Sequence, residues 1–172
     1  NKVCHMLKEI ANRRSVRKFL DKDVEREKII ELIKAGMQAP SANNQQPWEF
    51  IIIKDKNTLL RLSEMKTGAI PLKFANFAIV VLGNTNYLKS PEYLEQDLAA
   101  CTQNILLEAV NQNLGAVWIG VAPIQSRIDF TRKILNLEEN HIPFSIIAAG
   151  YTDDNANYFI DRFNYIKIIN EI

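Results

Sequence analysis

Cysteine is scarce in this sequence. There are two, Cys4 and Cys101, too few and too far apart for a disulfide framework or a zinc site. Each reads as an ordinary thiol, and low cysteine use fits a reducing, cytoplasmic setting. Long apolar runs are also missing. No stretch is long enough to span a bilayer, so no membrane contact is expected. The opening Asn-Lys-Val-Cys-His has no apolar run after its basic residue and does not read as a secretory leader. Charge of one sign is missing as well. The formal net charge is +1, which gives no bulk attraction to nucleic acid or anionic lipid. Any functional charge must therefore be local. Histidine is limited to His5 and His141, neither in a metal spacing nor beside a nucleophile motif, so each reads as structural or exposed. No Gly-Xaa-Ser-Xaa-Gly, Walker A or Gly-Xaa-Gly-Xaa-Xaa-Gly run is present. A metal centre and a side-chain nucleophile are both excluded. If the protein is an enzyme, a bound cofactor carries the hard chemistry.

What is there is an ordinary globular composition. The 172 residues are 47% hydrophobic and 24% charged, which fits one domain over 1–172 with a core of useful size. Helical spacing runs from about His5 to Asn12. Asp23 reads as the N-cap of a second helix that ends near Gln38, with Glu25 and Glu27 in its first turn. Phe50–Ile53 reads as a buried strand, a short helix runs from about Asn57 to Met65, and Thr67-Gly68 marks a break. Phe77–Leu82 is a second strand, stopped by Gly83-Asn84. Ser90-Pro91-Glu92 starts a long helix that reaches about Asn113, with Gly115 as its C-terminal cap. Apolar residues cover much of its circumference, which points to burial on several sides and to a second subunit. A strand over Ala116–Val121, a helix over Gln125–Leu135 and a strand over Phe144–Ala149 follow. The stretch from Tyr151 to Ile172 reads as an arm or extra strand. The fold class is α+β or mixed α/β, one sheet wrapped by helices.

Four elements carry candidate chemistry. The run Arg13-Arg14-Ser15-Val16-Arg17 offers three guanidiniums and a hydroxyl, a phosphate clamp or simply a solvated basic turn. The loop Pro40-Ser41-Ala42-Asn43-Asn44-Gln45-Gln46-Pro47-Trp48 is rich in amides and bracketed by prolines. It suits the hydrogen-bonding edge of a heteroaromatic ligand, or it is an exposed connection. The strand Trp118-Ile119-Gly120-Val121 has a Gly that lets a flat ring approach its backbone, or merely ends a strand. Arg162 near the C-terminus takes its meaning from the other three.

Together and in this order, these elements resemble the nitroreductase-like flavoprotein superfamily. The resemblance spans nearly the whole chain. It implies a nitroreductase-like FMN-binding fold, a central and mostly antiparallel sheet surrounded by helices, in an intertwined homodimer. It implies two FMN molecules at the subunit interface, with NADH or NADPH as donor and a small-molecule oxidant. Arg13, Ser15 and Arg162 would hold the FMN phosphate, with Arg14 close by. Arg17 would lie near the pyrimidine edge of the ring. Pro40, Ser41, Ala42, Asn44 and Gln46 would come from the partner subunit, and Trp118, Ile119, Gly120 and Val121 would pass behind the ring. No side chain would be catalytic, since flavin N5 carries the hydride. The implied activity is NAD(P)H-dependent reduction of nitroaromatics, quinones or flavins.

This chain departs from the superfamily pattern in places. Gly120 stands where many relatives have an acid, and Ile160 where many have a Lys. Lys66 and Lys73 are the stand-ins for a Lys often found near the flavin edge. The segment from Asn84 to Tyr93 is short, with Tyr87 and Tyr93 either lining a pocket or packing. The alternatives are a dehalogenase or flavin-consuming synthase of the same superfamily, a flavin-binding dimer without turnover, and a plain structural dimer. The first pair usually carries a lid segment, for which there is no room here.

Overall fold

The computed structural model describes residues 6–154 and 159–172. Cys4 and His5 lie outside them. In chain order the elements are α1 (Lys8–Asn12), α2 (Arg26–Met37), β1 (Trp48–Ile53), α3 (Lys56–Ser63), β2 (Phe77–Asn84), α4 (Leu94–Asn111), β3 (Gly115–Gly120), α5 (Gln125–Leu135) and β4 (His141–Gly150). Single 3-10 turns lie at Ala42–Asn44, Thr85–Tyr87, Pro91–Tyr93 and Tyr165–Lys167, and a longer one at Thr67–Lys73.

The strands form one sheet in the order β1-β2-β4-β3, and every pairing is antiparallel. β2 and β4 are central, so side chains of both faces must be apolar. Every residue of β2 is buried. One face packs Phe77, Ile79, Val81 and Ile147 against Leu32 of α2 and Leu98, Cys101 and Ile105 of α4. The other packs Val80, Ile146, Val117 and Ile119 against Leu59 and Leu62 of α3, Leu72 of the Thr67–Lys73 turn and Ile128 of α5. The result is a sheet sandwiched between two helical layers, the mixed α/β class with an antiparallel sheet. Each fully buried side chain here contributes roughly 1.5–3 kcal/mol.

Several local expectations shift. α2 begins two residues later than an Asp23 cap requires: its N-cap is Glu25, with no side-chain cap bond. Asn76 is the reason. Its Oδ1 accepts from the Val24 N–H at 2.9 Å and its Nδ2 donates to Asp23 at 3.4 Å, which ties this stretch to the sheet. Nor is Gly115 the cap of α4. Asn113, at φ 57, takes the left-handed position past the helix end that Asn tolerates. Gly115 instead opens β3, where a Cβ would stand 2.6 Å from Val16 Cγ1. Gly83 and Asn84 do not stop β2 but belong to it. The C-terminal stretch adds no strand among the described residues. It is an exposed arm with one turn at Tyr165–Lys167. Within this chain α4 buries a single stripe from Asp97 to Ala109, and Leu94, Ala99, Ala100, Leu107 and Val110 stay half-buried. Among the described residues, no helix is long and apolar enough to cross a membrane.

Candidate functional site

The basic run leaves α1 and lies along the outer edge of β3. The Val16 N–H donates to the Ala116 carbonyl at 3.0 Å, and Ser15 pairs in parallel with Ala116. Val16 is buried, while Ser15 and Arg17 on either side of it are exposed. That alternation is what an extended segment against an edge strand produces. The missing Cβ at Gly115 permits the contact.

Arg13 and Arg162 come together from opposite ends of the chain. Both line one cavity of about 540 Å³, with Arg14, Ile160 and Phe163. Arg14 has a carboxylate partner, Asp154, at 3.0 Å. Arg13 and Arg162 have no such partner among the described residues, and with Asp161 as the carboxylate in the lining, positive charge remains in excess for an anion. Ile160 lines it as well and adds no charge.

β3 is an edge strand, and its hydrogen-bond phase sorts its backbone. The Val121 N–H turns inward, to the Phe144 carbonyl at 3.1 Å, and Ala116 turns its carbonyl outward to Val16. With β3 and β4 in unbroken register, Trp118 and Gly120 share the outward phase of Ala116. Val121 is thus committed within the chain, and Gly120 directs its N–H to the open edge. A Cβ at Gly120 would meet nothing within 4 Å, so there is room beside that backbone. Trp118 is partly exposed and sets its ring edge-to-face on Phe144 at 5.9 Å. Ile119 is buried in the core.

Of the two lysine stand-ins, Lys73 is exposed and Lys66 is half-buried. Burial, then the nearby Arg127 guanidinium, lowers the Lys66 pKa. Arg127 in turn reaches the Gly120 carbonyl at 3.5 Å. Lys66 is therefore the lysine beside the end of β3.

The Pro40–Trp48 loop stands apart from the arginine cavity within this chain. Pro40, Asn43, Asn44 and Gln46 are exposed, and Ser41 and Ala42 half-buried. Ser41 Oγ accepts from the Gln46 N–H at 3.0 Å. Asn43, Asn44 and Gln46 all have positive φ, at 50°, 51° and 46°. For residues with a Cβ this costs on the order of 1 kcal/mol each. Two buried side chains hold the shape, and sequence reasoning did not single out either. Asp97 accepts from the Ala42 N–H at 2.9 Å and from Gln45 Nε2 at 2.7 Å. Gln45 Oε1 accepts from the Lys89 and Ser90 N–H groups, each at 2.9 Å. One signal was there to read: a lone acid on the apolar stripe of α4, between Leu94 and Cys101.

The remaining candidates are structural. Asn84 and then His141 bond Glu49 and hold its carboxyl below the usual range, with His141 Nε2 at 3.1 Å. Burial pushes the Cys101 thiol up to about 12, so it is inert. Tyr87 and Tyr93 are about half exposed, at 49% and 48%, and line neither the arginine cavity nor the core. Among the described residues no cluster could hold a metal ion.

The family model described as the nitroreductase family matches residues 10–80 and 72–151. The chain belongs to the nitroreductase family. An Archaeoglobus fulgidus protein, provisionally named NADH dehydrogenase/NAD(P)H nitroreductase, is 40% identical over 96% of this chain and 97% of its own. A solved structure from Clostridium acetobutylicum, provisionally named an NADH oxidase, shares 48% identity and a TM-score of 0.90, covering 93% of this chain and 96% of that one. A Desulfovibrio desulfuricans protein, provisionally named a nitroreductase and solved in complex with FMN, shares 28% identity and a TM-score of 0.80, covering 95% and 94%. The family's sheet and helical layers are those of the fold described above.

Proposed function

We propose that this nitroreductase-family oxidoreductase binds FMN between two copies of the chain and reduces a small nitroaromatic, quinone or free flavin with NADH or NADPH. The observation that carries the reading is the meeting of Arg13 and Arg162 in one cavity. A phosphate monoester bears nearly two negative charges, and those guanidiniums with the Ser15 hydroxyl match it in charge and donor number. The residues fit the cofactor in a second respect: Gly120 leaves open space beside an outward backbone N–H.

FMN, when bound, supplies an N5 that accepts and returns hydride. The protein's own groups bind and orient. Arg13, Ser15 and Arg162 anchor the phosphate, and Arg14 stays with Asp154 at its rim. Arg17 would lie beside the pyrimidine edge and stabilise negative charge there, which would raise the reduction potential. The Gly120 N–H, flanked by Trp118 and Ile119, faces the ring. Val121 supports that turn from the core. Pro40, Ser41, Ala42, Asn44 and Gln46 of a second copy cover the ring and ribityl side. Donor and oxidant would then use the bound cofactor in turn. The whole chain, 1–172, works as one domain of a cytoplasmic homodimer. The link from β2 to α4 holds only two single turns, Thr85–Tyr87 and Pro91–Tyr93, and this favours an open reductase over a lidded dehalogenase or synthase.

The test is spectroscopic. Protein supplied with FMN should turn yellow, bleach anaerobically with NADH or NADPH, and recover colour on adding a nitro compound or quinone. Protein that takes up no FMN overturns the proposal. Bleaching without recovery leaves a flavin binder and removes the reductase.

A further inference from the structure

The Pro40–Trp48 loop poses a physical question. Asn43, Asn44 and Gln46 hold left-handed backbone yet leave their side chains exposed. Nothing those side chains bury repays the strain. The hold comes instead from beneath, where Asp97 is 4% and Gln45 5% exposed. Asp97 takes one backbone N–H and one amide proton. Gln45 bridges Asp97 to the backbone of Lys89 and Ser90, and also donates to the Ser90 carbonyl at 3.1 Å. Asn43 Nδ2 donates to the Ser90 hydroxyl at 2.6 Å. Every one of these bonds fixes residues 42–45, and none reaches outward. Buried polar groups with all partners met are rigid, and a rigid scaffold under a strained loop is how a binding surface is held ready.

We propose that Asp97 and Gln45 are positioning residues: they lock the loop in the shape that presents Ser41, Asn44 and Gln46 to the flavin bound with a second copy. The inference rests on the proposed function and adds residues that touch no cofactor. The polarity of the lock is specific. Asp97 must accept twice, and an amide there turns one acceptor into a donor aimed at another N–H. A carboxylate in place of Gln45 would face Asp97 with like charge.

The experiment compares wild type, Asp97→Asn, Gln45→Glu and the double variant Asp97→Asn/Gln45→Glu. FMN affinity is read by flavin fluorescence, and the Tm of the FMN-free protein is read separately. Each single variant should weaken FMN binding about ten- to hundredfold, the worth of one charged hydrogen bond. The double variant should bind FMN more tightly than Gln45→Glu alone, although the Ser90 carbonyl stays without the donor that Gln45 gives it. There the new amide at position 97 donates to the new carboxylate at position 45 and still accepts from Ala42. If Asp97→Asn does not fold, Gln45→Ala serves in its place and should weaken FMN similarly. Single variants with wild-type FMN affinity overturn the inference alone, whatever their Tm. A double variant no tighter than Gln45→Glu does the same. Wild type that binds no FMN overturns the proposed function, and this inference with it.

Discussion

Two polar-to-apolar segments of this chain are held in opposite ways. The Pro40–Trp48 loop is tied down by its own chain, through Asp97, Gln45 and Ser90. The C-terminal arm, residues 159–172, is tied to little but itself. Ile166 is 86% and Ile169 96% exposed. Its bonds are local: the Phe163 N–H donates to Asp161 at 2.9 Å, and the Tyr165 hydroxyl to Glu171 at 3.3 Å. The loop has a fixed shape, and among the described residues its exposed Asn44 and Gln46 side chains bond only within the loop. The arm has apolar groups that the described residues leave exposed. A site assembled from two copies explains both, since the loop would be completed by a ligand and the arm by a neighbour.

Deleting residues 159–172 should break this comparison most severely. It removes Arg162 and the apolar arm but none of the buried sheet. FMN affinity should fall by at least roughly hundredfold and the protein should sediment as a monomer, while its circular dichroism stays that of the folded core. Unfolding on deletion would show instead that the arm supports its own chain. Arg13→Ala comes next, with an expected loss of about 1.5–3 kcal/mol in FMN binding, measured by fluorescence titration. Unchanged affinity would remove Arg13 from the phosphate contact. Gly115→Ala should then cost about 1–3 kcal/mol of stability, because the added Cβ meets Val16. Denaturant unfolding checks it, and a neutral result would mean that the Arg13–Arg17 segment does not press on β3.

The smallest effect lies at the base of the loop. Glu49 is held below its ordinary value of 4.5, first by Asn84 and then by His141. A carboxylate with a depressed folded pKa stabilises the fold above its unfolded pKa, and that contribution is lost as pH falls through the folded value. Wild type should therefore exceed Glu49→Gln in Tm at neutral pH by well under about 1 kcal/mol in equivalent stability, since the site is part exposed. The gap should close on acidification below about pH 4.5. A gap that is constant with pH would assign it to packing.

Local pattern carried much of this into view before any coordinates. The apolar runs at Phe50–Ile53 and Phe77–Leu82 each fall within strands, but only the second is buried throughout, since β1 is an edge strand whose Phe50, Ile51 and Ile52 stay half-buried. The segments Arg13–Arg17 and Trp118–Val121 could be picked out because their residue types are unusual at short range. What stayed hidden was pairing across distance. Asn76 displaces the Asp23 cap from far along the chain. Asp154 engages Arg14 from the other end. The Asp97–Gln45 pair joins a helix to a loop on the strength of one 2.7 Å bond. Asn113 and Gly115 were confused because both tolerate a helix end, and only the closeness of Val16 decides which one needs to lack a Cβ.

The central claim is that two copies of this chain share a flavin mononucleotide gripped by arginines from both chain ends. Titrating FMN-free protein with FMN, while following bound flavin and molecular mass together, tests it most directly. One FMN per chain on a particle of two chains is expected, with affinity lost in Arg13→Ala and in Arg162→Ala alike. A single chain that binds FMN alone, or a dimer indifferent to both substitutions, would contradict it.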